Sequence, residues 1–269
     1  MPTPERRLVL ITGASSGIGA ALARVYAERR WDVALTARRE DRLEQIADEI
    51  RARFGVSAMI RPLDLADAAA PEALVGWLDG EGLAIDALVN NAGFSRTTGF
   101  AETPLAEHEA MLRVMLQAPI ELTHRLLPGM LERRFGRILN VCSLAGLLPA
   151  TGGDTLYGPI KSLLIRASQG LHLELRDRGV HVSALCPGYV YSEFHDANGS
   201  REAVTRAYPH WMWMTADEVA REGYEAAEAN RPMSVPGAPN KAIAALVKLL
   251  PDEWTLALAD RHAGRLGRL

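Results

Sequence analysis

The chain has 269 residues, 48% of them hydrophobic and 23% charged, with a formal net charge of −3 at pH 7. That balance suits a globular α/β chain with a sizeable core, and it leaves no basic surplus to hold nucleic acid or anionic lipid by bulk electrostatics. No stretch approaches the roughly 20 apolar residues of a membrane span, the early run LVLI is too short for a signal-peptide core, and Cys142 and Cys186 show no metal-ligand spacing; the expectation is a cytoplasmic protein with reduced core thiols, no metal and a small-molecule partner.

The first predicted strand, RLVLIT (7–12), runs into TGASSGIG, Thr12 to Gly19, and then a helical pattern, AALARVYAERR. Glycines at 13, 17 and 19 allow a tight turn that brings a helix N-terminus close to a pyrophosphate, whose charge meets unpaired N–H groups and the helix dipole. A glycine-rich turn alone is weak evidence, but directly after an apolar strand and before a helix it favours dinucleotide binding.

The second strand, DVALTA (32–37), ends where an acidic side chain would accept hydrogen bonds from the adenine ribose and favour NAD. The chain has Ala37 there, followed by Arg38 and Arg39. Cations at a helix start oppose the macrodipole, whereas a ribose 2′-phosphate gains from them, so NADP(H) is expected. The plainer alternative is a solvated helix start with Glu40 and Asp41 as the favourable charges.

Further strands are read at SAMIRPL (57–63), IDALVN (85–90), GRILNVC (136–142) and VHVSALC (180–186). Apolar runs with little polar alternation suit strands buried on both faces, so the sheet is predicted to be parallel and doubly wound, with helices on each side. In TLYGPIKSLL (155–164), Tyr157 and Lys161 stand four apart, about one helical turn or roughly 6 Å, and so share a face. Ser143 closes a strand at the same carboxyl edge as the glycine turn, where open parallel sheets bind ligands. A proline, Pro159, sits between tyrosine and lysine; it is tolerated only in a first turn, so the helix should start near Tyr157, with Pro159 narrowing the pocket beside it.

Taken in order, TGASSGIG, Asp64-Leu65, NNAG (Asn90 to Gly93), Ser143 in NVCSLAG, YGPIK and PGYVYS (Pro187 to Ser192) resemble the classical short-chain dehydrogenase/reductase family over roughly residues 7 to 195. The resemblance implies a single Rossmann-type domain over 1–269 and an oxidoreductase. It also implies Tyr157 as the acid that protonates a carbonyl oxygen, Lys161 as the group that lowers its pKa and holds the nicotinamide ribose, and Ser143 as the hydrogen-bond donor to the substrate oxygen. Cofactor contacts are implied at Gly13, Ser15, Ser16, Gly17, Ile18, Gly19, Arg38, Arg39, Asp64, Leu65, Asn91, Ala92, Gly93, Tyr157, Lys161, Pro187, Gly188, Val190 and Ser192. A homodimer or homotetramer is implied too. The chain departs from the family's pattern at Met115, where a catalytic asparagine is usual; methionine keeps the backbone carbonyl but lacks the amide's hydrogen bonds, so slower proton relay is expected.

From about 188 to 215 the periodicity fails and aromatics accumulate, as in a lid-like excursion. Phe94, Met115, Leu147, Tyr189, Tyr191, Phe194 and Trp211 are the candidate lining of a pocket for a bulky, partly apolar ketone or secondary alcohol; equally, Trp211 and Trp213 suit a core or a subunit contact. His195 reads as a loop histidine. Helical patterns resume at TADEVAREGYEAAEAN and NKAIAALVKLL. The leading expectation is an NADPH-dependent carbonyl reductase; the alternatives are a dinucleotide-binding protein with weak or no catalysis, and a Rossmann-type methyltransferase, which leaves the tyrosine-lysine pair unexplained.

Overall fold

The computed structural model describes residues 6–150, 152–194, 199 and 201–265. Strand β1 (Leu8–Thr12) shows why its run is apolar throughout: Leu8 and Leu10 pack into one core cluster and Val9 and Ile11 into another. A strand covered on both sides has no face to give to polar residues. The same holds for β2 (Asp32–Thr36), β4 (Ala87–Asn90), β5 (Gly136–Val141) and β6 (Val180–Leu185), with β3 (Ala58–Ile60) short at one edge. A two-residue strand, Met233–Ser234, closes the other edge, and the order is β3-β2-β1-β4-β5-β6 and then that strand, every pairing parallel.

Helices α1 (Gly17–Glu28) and α2 (Glu40–Phe54) cover one face of the sheet, and α3 (Ala70–Gly80), α5 (Ala118–Glu132) and α6 (Tyr157–Leu175) cover the other. Between α4 (Leu105–Leu112) and α5 the backbone widens into a π turn, Arg113–Gln117. The alanines of α1, Ala20, Ala23 and Ala27 among them, are buried and let a later helix, α8 (Ala216–Glu228), lie close on the same face through Val219, Ala220 and Ala227. That helix is started by a capping box, in which Thr215 Oγ1 accepts from the Glu218 N–H at 3.2 Å and Glu218 Oε2 accepts from the Thr215 N–H at 2.8 Å.

The 188–215 excursion is more regular than its sequence suggests. It holds β7 (Tyr189–Tyr191), α7 (Arg201–Ala207) and β8 (Trp213–Thr215), and β7 and β8 pair in parallel as a small second sheet. Elements of three to seven residues are too short to display a period. Two helices, α9 (Ala238–Val247) and α10 (Asp252–Arg265), complete the described chain. Among the described residues no helix is long and apolar enough to cross a membrane, and no cluster of side chains could hold a metal ion.

The strand order reverses between β1 and β4, and there the carboxyl ends of neighbouring strands face a shared crevice, the place where open α/β sheets bind ligands. Thr12, Asn90, Val141 and Leu185 end their strands along this edge.

Candidate active site

The crevice is braced from below. Thr12 Oγ1 accepts from the Asn91 and Ala92 N–H groups at 3.0 and 3.1 Å and donates to the Val89 carbonyl at 3.3 Å. Asn91 Nδ2 in turn donates to the carbonyls of Thr12 and Gly13, both at 3.0 Å. The glycine turn is thereby tied to the strand beside it. Gly13 sits at φ +65, and a Cβ there would lie 2.7 Å from Ala92 Cα; a Cβ at Gly19 would lie 2.5 Å from Asn91 Nδ2. Neither position has room for a side chain. With α1 starting at Gly17, the N–H groups of its first turn have no partner inside the helix, and Ser15, Ser16, Gly17 and Ile18 keep partial exposure. This is a cradle that fits a pyrophosphate.

At the end of β2, Ala37 leaves no carboxylate, and both arginines are exposed. Arg39 Nη2 donates to Ser16 Oγ at 2.9 Å and Ser15 Oγ at 3.1 Å, while its Nη1 pairs with Glu193 at 2.9 Å. Arg38 has no hydrogen-bond or ion-pair partner among the described residues. On the next loop Asp64 is exposed, its carboxylate accepting from the Ala66 N–H at 3.0 Å, and Leu65 is buried beside Met111 and Met115.

Tyr157 is the first residue of α6, so Pro159 falls in the first turn, where its missing N–H costs nothing. Pro159 is exposed, while Ile160 is buried in the cluster that holds Tyr157, Phe94 and Met115. Lys161 is buried, its Nζ 5.8 Å from the Tyr157 ring centre and donating to the Val141 carbonyl at 2.8 Å. Ser143 follows β5, with its hydroxyl accepting from the Ala145 N–H at 3.1 Å. Burial pushes the Tyr157 phenol well above its ordinary value, while the Ser143 side chain pulls it down. Burial also lowers the Lys161 ammonium. Both shifts follow from desolvation of the charged form.

Met115 is fully buried at the centre of the π turn, and a Cβ on Gly93 would stand 3.2 Å from its Sδ and 3.7 Å from Lys161 Nζ. The thioether and the lysine ammonium thus both lie close to Gly93. Pro187 accepts from the Leu144 N–H at 2.8 Å, linking the loop after β6 to the Ser143 turn; Gly188 packs against Asn240; Val190 is buried in β7.

The pocket candidates separate into groups. Phe94 and Met115 join the Tyr157 cluster, Phe194 lies 5.8 Å from the Tyr157 ring, and Leu147 packs in a neighbouring cluster with Leu144 and Leu164. Tyr189 and Tyr191 stack instead with Tyr208 and Trp213, at ring separations of 4.6 to 5.4 Å, joining β7 to β8. Trp213 is core to this excursion, and Trp211, 67% exposed, is on its surface. His195 lies outside the described residues. Sequence reasoning missed a buried relay in which Asn90 Nδ2 donates to Asn140 Oδ1 and Asn140 Nδ2 donates to Ser168 Oγ, each at 2.8 Å. Its signal was an asparagine in each of two mostly apolar strands, ALVN and GRILNV.

Comparison with known proteins places this geometry. A family model described as short chain dehydrogenase matches residues 7–203. The serine 3-dehydrogenase of Rhizobium radiobacter is 37% identical over 217 residues, covering 79% of this chain and 84% of that protein. A fatty acyl-CoA reductase of Mycobacterium tuberculosis is 36% identical over 262 residues, 96% of this chain and 85% of its own. Among solved structures, a short-chain dehydrogenase from Sphingobium yanoikuyae in complex with NADPH superposes with a TM-score of 0.79 at 29% identity, covering 91% of this chain and 96% of that one. The chain belongs to the short-chain dehydrogenase family and is an oxidoreductase of that class.

Proposed function

We propose that the protein is an NADP(H)-dependent carbonyl reductase, reversible as an alcohol dehydrogenase, acting on a bulky and partly apolar ketone or secondary alcohol. The observation that carries the reading is the convergence of Ser143, Tyr157 and Lys161 at the carboxyl edge of the sheet, beside a glycine turn and a pair of arginines in place of a ribose-binding acid. The NADPH complex of the Sphingobium yanoikuyae relative supports the cofactor. The apolar walls at Phe94, Met115, Leu147 and Phe194 support the substrate class, as does the relative named for a fatty acyl substrate.

When bound, the dinucleotide supplies or accepts the hydride. The chain's own residues manage the oxygen. Ser143 Oγ–H donates to the carbonyl oxygen and fixes its place, and the Tyr157 hydroxyl delivers the proton as charge builds there. Burial keeps that hydroxyl protonated in the neutral range, the form an acid needs. Lys161, held by the Val141 carbonyl, stands over the phenol ring and stabilises the phenolate left behind.

The test is cofactor oxidation against aryl, cyclic and aliphatic ketones with NADPH and NADH in parallel, Tyr157→Phe alongside. Turnover with NADPH, little with NADH and none from a Tyr157→Phe protein that still binds NADPH is the expected result. A second reading, a dinucleotide-binding protein with weak or no catalysis, has one observation in its favour, the buried methionine that shares the surroundings of Gly93 with Lys161. Saturable NADPH binding without turnover across the panel would select it.

A further inference from the structure

Three consecutive residues, Ser192, Glu193 and Phe194, reach from the glycine turn to the Tyr157 ring. Ser192 Cβ stands 3.2 Å from where a Cβ on Gly17 would be, so this residue covers the start of α1. Glu193 pairs with Arg39 at 2.9 Å, and that guanidinium is simultaneously bound to Ser15 and Ser16 of the glycine turn. Phe194 ends the span over the Tyr157 ring at 5.8 Å. The segment is anchored from outside by the Arg201 guanidinium, which donates to the Ser192 carbonyl.

We propose that Glu193 is a latch, and a determinant of cofactor choice: its carboxylate takes the place on Arg39 and Ser16 that the 2′-phosphate of NADP(H) takes on binding. The proposal rests on the NADP(H) reading and deepens it. A carboxylate and a phosphate monoester present the same kind of oxygen to a guanidinium fork, so one exchanges for the other with Arg39 keeping an anionic partner throughout. NAD(H) has no such group. It settles on the glycine turn with the Glu193–Arg39 pair left closed, so the latch does not weigh on it. The latch therefore opposes NADP(H) alone and narrows the preference that Arg39 gives the phosphorylated cofactor, a repulsive element set against an attractive one.

The pair is nearly half exposed on both sides, at 45% and 47%, so its strength is that of a surface ion pair and the effect is moderate. Glu193→Gln keeps the size and removes the charge. Calorimetry with NADPH, NADH and 2′,5′-ADP as probes should show NADPH and 2′,5′-ADP binding tightened about threefold, NADH unchanged, and the NADPH-over-NADH ratio raised accordingly. The gain should shrink as salt is added, because it comes from removing a competing charge. Unchanged or weakened binding of NADPH and 2′,5′-ADP, or NADH tightened as much as NADPH, with 2′,5′-ADP still bound by the wild type, overturns the latch and leaves the NADP(H) reading standing. No binding of 2′,5′-ADP by either protein overturns both, since the arginines then do not read a phosphate.

Discussion

At the scale of single residues, Met115 is where this chain departs most from what its neighbours ask for. It lies near Gly93, as does a buried ammonium that donates to a backbone carbonyl, and a thioether offers that neighbourhood only a weak acceptor. Met115→Asn supplies an amide to the same spot and is expected to raise kcat about tenfold, less than the roughly 10²–10⁴-fold of a directly positioned proton donor. It also exchanges a close-packed apolar side chain for a shorter polar one among Leu65, Met111, Val114 and Ile160, which costs stability of about 2 kcal/mol or more. Faster turnover with a lower Tm is the predicted signature, read by steady-state kinetics and thermal melts on the same preparation. A lower Tm with kcat unchanged would show that the methionine is there for packing alone. The Tyr157–Lys161 pair was legible because a helix fixes what four residues apart means. The Glu193–Arg39 contact was not, because its partners are 154 residues apart and no periodicity connects them.

At the scale of elements, the Asn90–Asn140–Ser168 relay ties β4, β5 and α6 together under the candidate site. Asn140 is 2% exposed, and removing its amide leaves two buried partners short at once. Asn140→Ala should cost about 1–3 kcal/mol in urea melts, with Ser168→Ala adding less than its separate cost when the two are combined. Strictly additive losses would mean that the relay does not act as a unit. Six of the sheet's strands and its parallel sense could be read from sequence, since double burial makes each a mostly apolar run with little polar alternation. The seventh could not: Met233–Ser234 is two residues long and looks like any loop. The π turn at Arg113–Gln117 carries no sequence period either, and the stretch between 188 and 215 hid β7 and β8 because three residues cannot alternate recognisably.

At the scale of the molecule, the core holds a phenol with no hydrogen-bond partner. Tyr26 is fully buried, edge-on to Trp31 at 5.2 Å and Tyr224 at 5.0 Å. Burial raises its pKa in the folded state, and Tyr157 and Tyr224 shift the same way. The unfolded chain releases these protons near pH 10 and the folded one holds them longer, so their contribution is complete below that value and is lost as pH climbs past it. Tm is expected to fall between about pH 9 and 11, less steeply in Tyr26→Phe, which gives up no hydrogen bond at neutral pH. Parallel losses in the two proteins would place the alkaline sensitivity elsewhere. The two-residue strand at the sheet's edge has a consequence for biosynthesis. β6 ends at Leu185 and receives its outer partner only at Met233, so during synthesis its edge stays unpaired while nearly fifty more residues are made. An apolar strand with open N–H and C=O groups is the template on which nascent chains associate. The growing polypeptide therefore passes through a stage when crowding on a polysome favours aggregation, and a ribosome stalled between these positions would hold it there.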